Sequence, residues 1–227
     1  MKSILVICCC RGKKAQTKLY ESMAGFDRSE AKVIYHEDNT KGLPEVYNQY
    51  ITSKTAKKHD IVLFVHDDVY IDDYKLKGKL YANMNMFDIV GLAGCIKPKI
   101  KSPCLWHLMS AEKNHRGSVY HPFQVDEDVY SIKNKTFGYT PARVAIIDGL
   151  FIAVNLKPVL EAGWKFNESY DFHHYDISSC IDANRLKLKI GVAPIHVIHS
   201  SLGLSNPNDL SWRRSEKTFL QQYGNGK

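Results

Sequence analysis

The stretch Asp60-Ile-Val-Leu-Phe-Val-His-Asp-Asp-Val-Tyr-Ile-Asp-Asp73 decides the reading of this chain. Ile61 to Val65 is apolar, rich in β-branched residues and stopped abruptly by charge, the pattern of a strand covered on both faces of a parallel sheet. His66, Asp67 and Asp68 follow where such a strand leaves the sheet, and in open α/β folds ligands bind at the carboxyl ends of strands. Neighbouring carboxylates repel one another and are costly to desolvate. A pair in this place therefore points to a cation bound through oxygen, Mg2+ or Mn2+. An acidic turn capping the next helix is the competing reading, and for Asp72-Asp73 it is the simpler one.

Working outward, Lys2 to Cys10 and Ala31 to Tyr35 read as two further strands, with helices at Ala15–Met23 and Leu43–Ser53. In the second helix Leu43, Val46, Tyr47, Tyr50 and Ile51 fall on one stripe. The order β-α-β-α-β implies a parallel sheet with right-handed crossovers, hence an α/β fold. Downstream come a helix over Tyr74–Met86 and a strand over Asp88–Cys95. Residues 97–141 form a lysine-rich segment with Gly117–Tyr120 in a hairpin and an acidic run at Asp126-Glu127-Asp128. A connection this long reads as a binding loop or lid. The apolar run Ala142–Val154, broken only by Asp148, reads as one strand. Helices at Lys157–Ala162 and Asp176–Leu186, a strand at Leu188–Ala193 and a last helix at Ser211–Tyr223 complete the pattern. A loop with Gly203, Asn206 and Pro207 precedes that helix, and a frayed tail follows it. The expectation is one unit, 1–227, made of a half over 1–95 and a half over 96–227.

With 227 residues, 44% hydrophobic and 24% charged, the composition is that of a globular protein with a sizeable core. Ile4 to Cys10 is too short for a signal peptide, and no apolar run approaches the ~20 residues of a membrane span. The expectation is a cytoplasmic protein. The six cysteines lack the paired spacing of a zinc site and read as reduced, mostly buried thiols, Cys104 being the one expected at the surface. A formal charge of +7 favours anionic partners. The lysines are dispersed and form no nucleic-acid motif, so a nucleotide diphosphate, or an acidic membrane face met peripherally, is the better match.

Taken together the motifs resemble the GT-A glycosyltransferases, the small bacterial-type family 2-like group. Four segments carry the likeness in the family's order: Asn39-Thr-Lys-Gly-Leu-Pro-Glu-Val-Tyr-Asn48, Phe64-Val-His-Asp-Asp-Val69, Ile147-Asp-Gly-Leu-Phe-Ile-Ala153, and Phe172-His-His-Tyr-Asp176 continued by Val197-Ile-His199. Of these, Phe64–Val69 resembles the Asp-x-Asp motif. Two positions depart from the pattern: His66 replaces the first acid of that motif, and Tyr175 replaces one of the acid pair at the catalytic helix. No Gln-x-x-Arg-Trp is present, which argues against a processive polysaccharide synthase.

The resemblance implies a Rossmann-like nucleotide-binding sheet fused to a smaller acceptor half. It also implies a non-processive, metal-dependent inverting transferase of polysaccharide biosynthesis. A nucleotide-sugar donor, UDP-sugar being the commonest, would give its sugar to a glycan or lipid-linked acceptor, with Mn2+ or Mg2+ as cofactor. By the same likeness Asp68 and His199 ligate the metal, with Ser200 in support, and Asp176 is the general base. Asp67 and His66 border the ribose or metal, Glu37, Asn39 and Asn48 the base and ribose, and Cys9, Cys10 and Arg11 line the nucleotide pocket. Asp148 interrupts an apolar run, where an unpaired carboxylate costs several kcal/mol, so it must face a sugar or a partner such as Arg143. Each assignment has a plainer counterpart. His199 and His196 suit buried imidazoles, Asp176 suits a helix N-cap, and Trp106 and Trp164 suit core anchors. Two rival functions remain: a sugar nucleotidyltransferase, for which Cys10-Arg-Gly-Lys-Lys14 is a poor phosphate loop, and a non-catalytic basic binding protein.

Overall fold

A computed structural model describes residues 1–126, 129–201 and 208–224. The chain builds two sheets that meet along the carboxyl ends of the first strands. The larger holds β1 (Ile4–Cys9), β2 (Ala31–His36), β3 (Ile61–Val65), β5 (Ile89–Gly91), β9 (Ala142–Val144), β11 (Phe151–Asn155) and β12 (Ile190–Val192), in the spatial order β2-β1-β3-β11-β5-β12-β9. β1 runs parallel to β2 and to β3, and β12 parallel to β5. β11 is antiparallel to both of its neighbours, and β9 is antiparallel to β12. The sheet is thus mostly parallel in strand direction, with β11 and β9 running against the other five. β1 and β3 are buried along their whole length, as their unbroken apolar sequences require.

Helices α1 (Lys18–Met23), α2 (Leu43–Tyr47), α3 (Ser53–Ala56) and α4 (Leu76–Met84) occupy the crossovers, with α5 (Leu156–Glu161), α6 (Tyr175–Arg185) and α7 (Leu210–Tyr223) following β11 and beyond. The first two helices are shorter than their periodicity predicts. A 3-10 turn at Lys14–Gln16 precedes α1, Thr17 caps it by accepting from the Tyr20 amide, and another 3-10 turn at Asn48–Tyr50 ends α2.

The second sheet contains β4 (Val69–Ile71), β6 (Ala93–Cys95), β7 (His115–Asp126), β8 (Val129–Gly138), β10 (Ile146–Ile147) and β13 (Val197–His199). Within residues 97–141, read as a loop with Gly117–Tyr120 in a hairpin, β7 and β8 form that hairpin, longer than expected. The apolar run 142–154 is three strands rather than one: β9 joins the large sheet, β10 crosses to pair with β6, and β11 returns. Gly94 permits that crossing, since a Cβ there would lie 2.0 Å from the Ile146 carbonyl oxygen. Asp148 therefore sits in the turn between β10 and β11 instead of inside a strand.

All six cysteines are free and buried. Cys104, expected at the surface, is 1% exposed: its amide donates to Glu216 of α7 at 2.8 Å, and Trp106 and Met109 of the same loop are buried with it. Asp73 is indeed structural, bonded to the Lys75 and His196 amides and paired with Lys79. The acidic run at 126–128, the Gly203–Pro207 loop and the end of the tail lie wholly or partly outside the described residues.

Candidate active site

The turn that leaves the central strand places the site. β3 ends at Val65, the chain turns through His66, Asp67 and Asp68, and β4 begins at Val69. β13 pairs antiparallel with β4 so that His199 lies opposite Val69, and the Ser200 amide donates to the Asp68 carbonyl at 2.9 Å. That pairing carries the His199 Nε2 to 3.4 Å from Asp68 Oδ1. His66, Asp68 and His199 each offer a ligand atom, and these atoms lie within 4.8 Å of one another. Asp68 Oδ1 is buried and has no hydrogen-bond partner among the described residues. A buried carboxylate oxygen with no hydrogen bond, facing two imidazoles, is a donor set that fits a divalent cation.

Asp68 and His199 also shift each other's titration, as an ion pair does. Burial would raise the Asp68 carboxyl, but the His199 imidazole beside it brings it below its usual range. Burial pulls His199 down, and Asp68 more than offsets this, so His199 ends above its usual value. His66 is lowered by burial and stays neutral. Its Nε2 is 3.0 Å from the Tyr175 hydroxyl, which donates to the Gly149 carbonyl at 2.6 Å.

These groups line a cavity of about 760 Å³ together with Arg11, Trp106, His107, His121, Lys135, Phe137, Asp148, Phe172, Asp176 and Trp212. Asp148 accepts from the Trp106 indole at 2.8 Å and from the Leu150 amide at 3.2 Å, so a tryptophan rather than Arg143 partners it. Asp176 lies in the first turn of α6, one residue inside the helix and not at its cap, which is His174. Its carboxyl is pushed up to about 7, chiefly by burial and then by the charge of Asp148.

The residues expected on the nucleotide side, Asn48 apart, gather at the ends of β1 and β2. Arg11 donates from its amide to Asp67 Oδ2 at 3.2 Å, and its guanidinium lies 3.8 Å from the same carboxylate. The Asn39 amide donates to the Cys10 carbonyl, and Glu37 accepts from the Lys14 amide. Cys9 is buried, its thiol pushed up to about 12 by burial. Asn48 stands apart: its side chain holds the Phe166 amide and carbonyl and Glu168, inside the fold. Trp164 is a core anchor bonded to the Ser179 carbonyl, and His196 is exposed beside Tyr120.

The comparisons with known proteins bear on family and fold. The profile of a family described as "glycosyltransferase like family" matches residues 22–223, and the chain belongs to that family. The crystal structure of GalNAc-T7 with UDP, GalNAc and Mn2+ superposes at a TM-score of 0.52 and 8% identity, covering 96% of this chain and 48% of that one. The shared fold is GT-A, and this chain spans about half of GalNAc-T7. A197 from STIV (12% identity, 92% of this chain and 99% of that, TM-score 0.48) and S. aureus TarS 1-349 (14% identity, 88% and 60%, TM-score 0.49) are more distant in shape. No curated protein sequence matches.

Proposed function

We propose that this chain is a metal-dependent inverting glycosyltransferase that moves one sugar from a nucleotide-sugar donor to a hydroxyl of a glycan or lipid-linked acceptor. The observation that carries the reading is the cluster of Asp68 with His66 and His199, its buried Oδ1 without a hydrogen bond and 3.4 Å from His199 Nε2, in the cavity that also holds Asp176. Asp68 and His199 would hold the cation, Mn2+ or Mg2+. A divalent ion there supplies charge to the diphosphate as it leaves. Residues 1–95 contribute the nucleotide contacts, with Arg11 and Asp67 toward the phosphates and ribose, and Glu37, Asn39 and the backbone of Cys9 and Cys10 toward the base. Residues 96–227 contribute the acceptor side.

Asp176 is the base. The acceptor oxygen bonds to the anomeric carbon, its proton passes to the Asp176 carboxylate, and the bond to the diphosphate breaks with its electron pair. A carboxyl raised toward neutrality is a stronger proton acceptor than an exposed one. Asp148, fixed by the Trp106 indole, orients a sugar hydroxyl nearby. UDP is the nucleotide to test first, because GalNAc-T7 was solved with it.

The test is calorimetric titration of UDP with Mn2+ present and with the metal chelated, repeated on Asp68→Ala. Binding that needs both Mn2+ and Asp68 is the expected result. Equal binding without metal removes the mechanism and favours a non-catalytic binding protein.

A further inference from the structure

The two residues that break the family's acidic pattern, His66 and Tyr175, are far apart in sequence and bonded to each other. Tyr175 is 2% exposed and has one hydroxyl proton. That proton is committed to the Gly149 carbonyl, 2.6 Å away, because a carbonyl can only accept. His66 Nε2, 3.0 Å from the same oxygen, must therefore donate. In a neutral imidazole this leaves the lone pair on Nδ1. The contact is tightly built: a Cβ on Gly149 would lie 2.7 Å from the Tyr175 oxygen. Phe172 stacks on the other side of the His66 ring, at 5.5 Å between centroids.

We propose that Tyr175 is a positioning residue that locks His66 in the Nε2–H tautomer. His66 then serves through Nδ1 as a third ligand beside Asp68 and His199. Two imidazole nitrogens and one carboxylate select a first-row transition cation over Mg2+, which prefers oxygen donors. Partners that hold a ligating histidine by its other nitrogen fix its tautomer in this way. The inference rests on the cation site proposed above.

The test begins without metal. Nitrogen-15 NMR of histidine-labelled protein, with the His66 signals assigned by their loss in His66→Gln, reads the tautomer directly. Nε2–H is expected, and an Nδ1–H tautomer overturns the proposal. Mn2+ binding is then followed by electron paramagnetic resonance with Mg2+ as competitor. The wild type should hold Mn2+ at least about tenfold tighter than Mg2+. Tyr175→Phe should weaken Mn2+ by about 10–100-fold, and His66→Asp should narrow the Mn2+/Mg2+ ratio. Unchanged Mn2+ affinity in Tyr175→Phe, with Asp68→Ala still losing it, defeats the positioning role alone. Unchanged affinity in Asp68→Ala defeats the cation site itself. The tautomer measurement decides even where Tyr175→Phe does not fold.

Discussion

Asp176 shows how much a single carboxylate can be asked to do. Burial and Asp148 hold its carboxyl near 7, so transfer should rise with pH through about 7 and level off above it. Asp176→Asn should lower kcat by about 10²–10⁴-fold, with little change in UDP affinity; a flat pH–rate profile in the wild type would exclude Asp176 as the base. The same shift has a stability consequence of definite sign. A carboxyl whose folded value lies above its unfolded one binds its proton more tightly in the native state, so stability falls as pH rises from ~4 to ~7. Asp176→Asn should therefore melt higher than the wild type at pH 8, and the gain should vanish near pH 4. Asp148 stood out in the sequence because it interrupts an apolar run, and Asp68 because it follows a buried strand, whereas Asp176 and His199 were assigned through the resemblance. Trp106 and Tyr175 did not stand out in this way, because their partners lie 42 and 109 residues away and an aromatic side chain gives no local sign of whom it meets.

Among the elements, α2 and the segment after α5 are tied by the Asn48 amide, whose oxygen and nitrogen are both engaged with Phe166. Asn48→Ala leaves buried partners unsatisfied and should cost about 2–4 kcal/mol, seen as a lower melting temperature with UDP affinity intact. Loss of UDP binding at unchanged stability would instead make Asn48 a nucleotide contact. The strands β1 and β3 were readable because continuous apolar runs have one physical explanation, burial on both faces. The run 142–154 misled for a related reason. An apolar sequence reports that it is buried but not in which sheet, and here it visits two. Of the β7–β8 hairpin only Gly117–Tyr120 was read; the second strand was hidden by its exposure, since residues 131–136 are all solvent-facing and leave no alternation to read.

At the scale of the whole molecule, the proposed cation ligands come from both sheets: His66 and Asp68 from the turn after β3, His199 from β13. A cation held there clamps the sheets together. At a hundredfold excess over its dissociation constant it should add about 2.7 kcal/mol, or roughly 5–10 °C in melting temperature for a chain of this size. Differential scanning calorimetry with and without Mn2+ checks this, and Asp68→Ala should show no shift. No helix among the described residues is long and apolar enough to cross a membrane. The interleaving of the large sheet has one more consequence, and it concerns synthesis. β11 is the strand that joins β3 to β5, so until Asn155 has left the ribosome both carry a bare edge. The sheet that begins with β1 to β3 thus stays open until β11 has been made, and residues 1–95 cannot complete it alone. Whatever guards those edges in the interval, chaperone or ribosome surface, is part of how this enzyme comes into being.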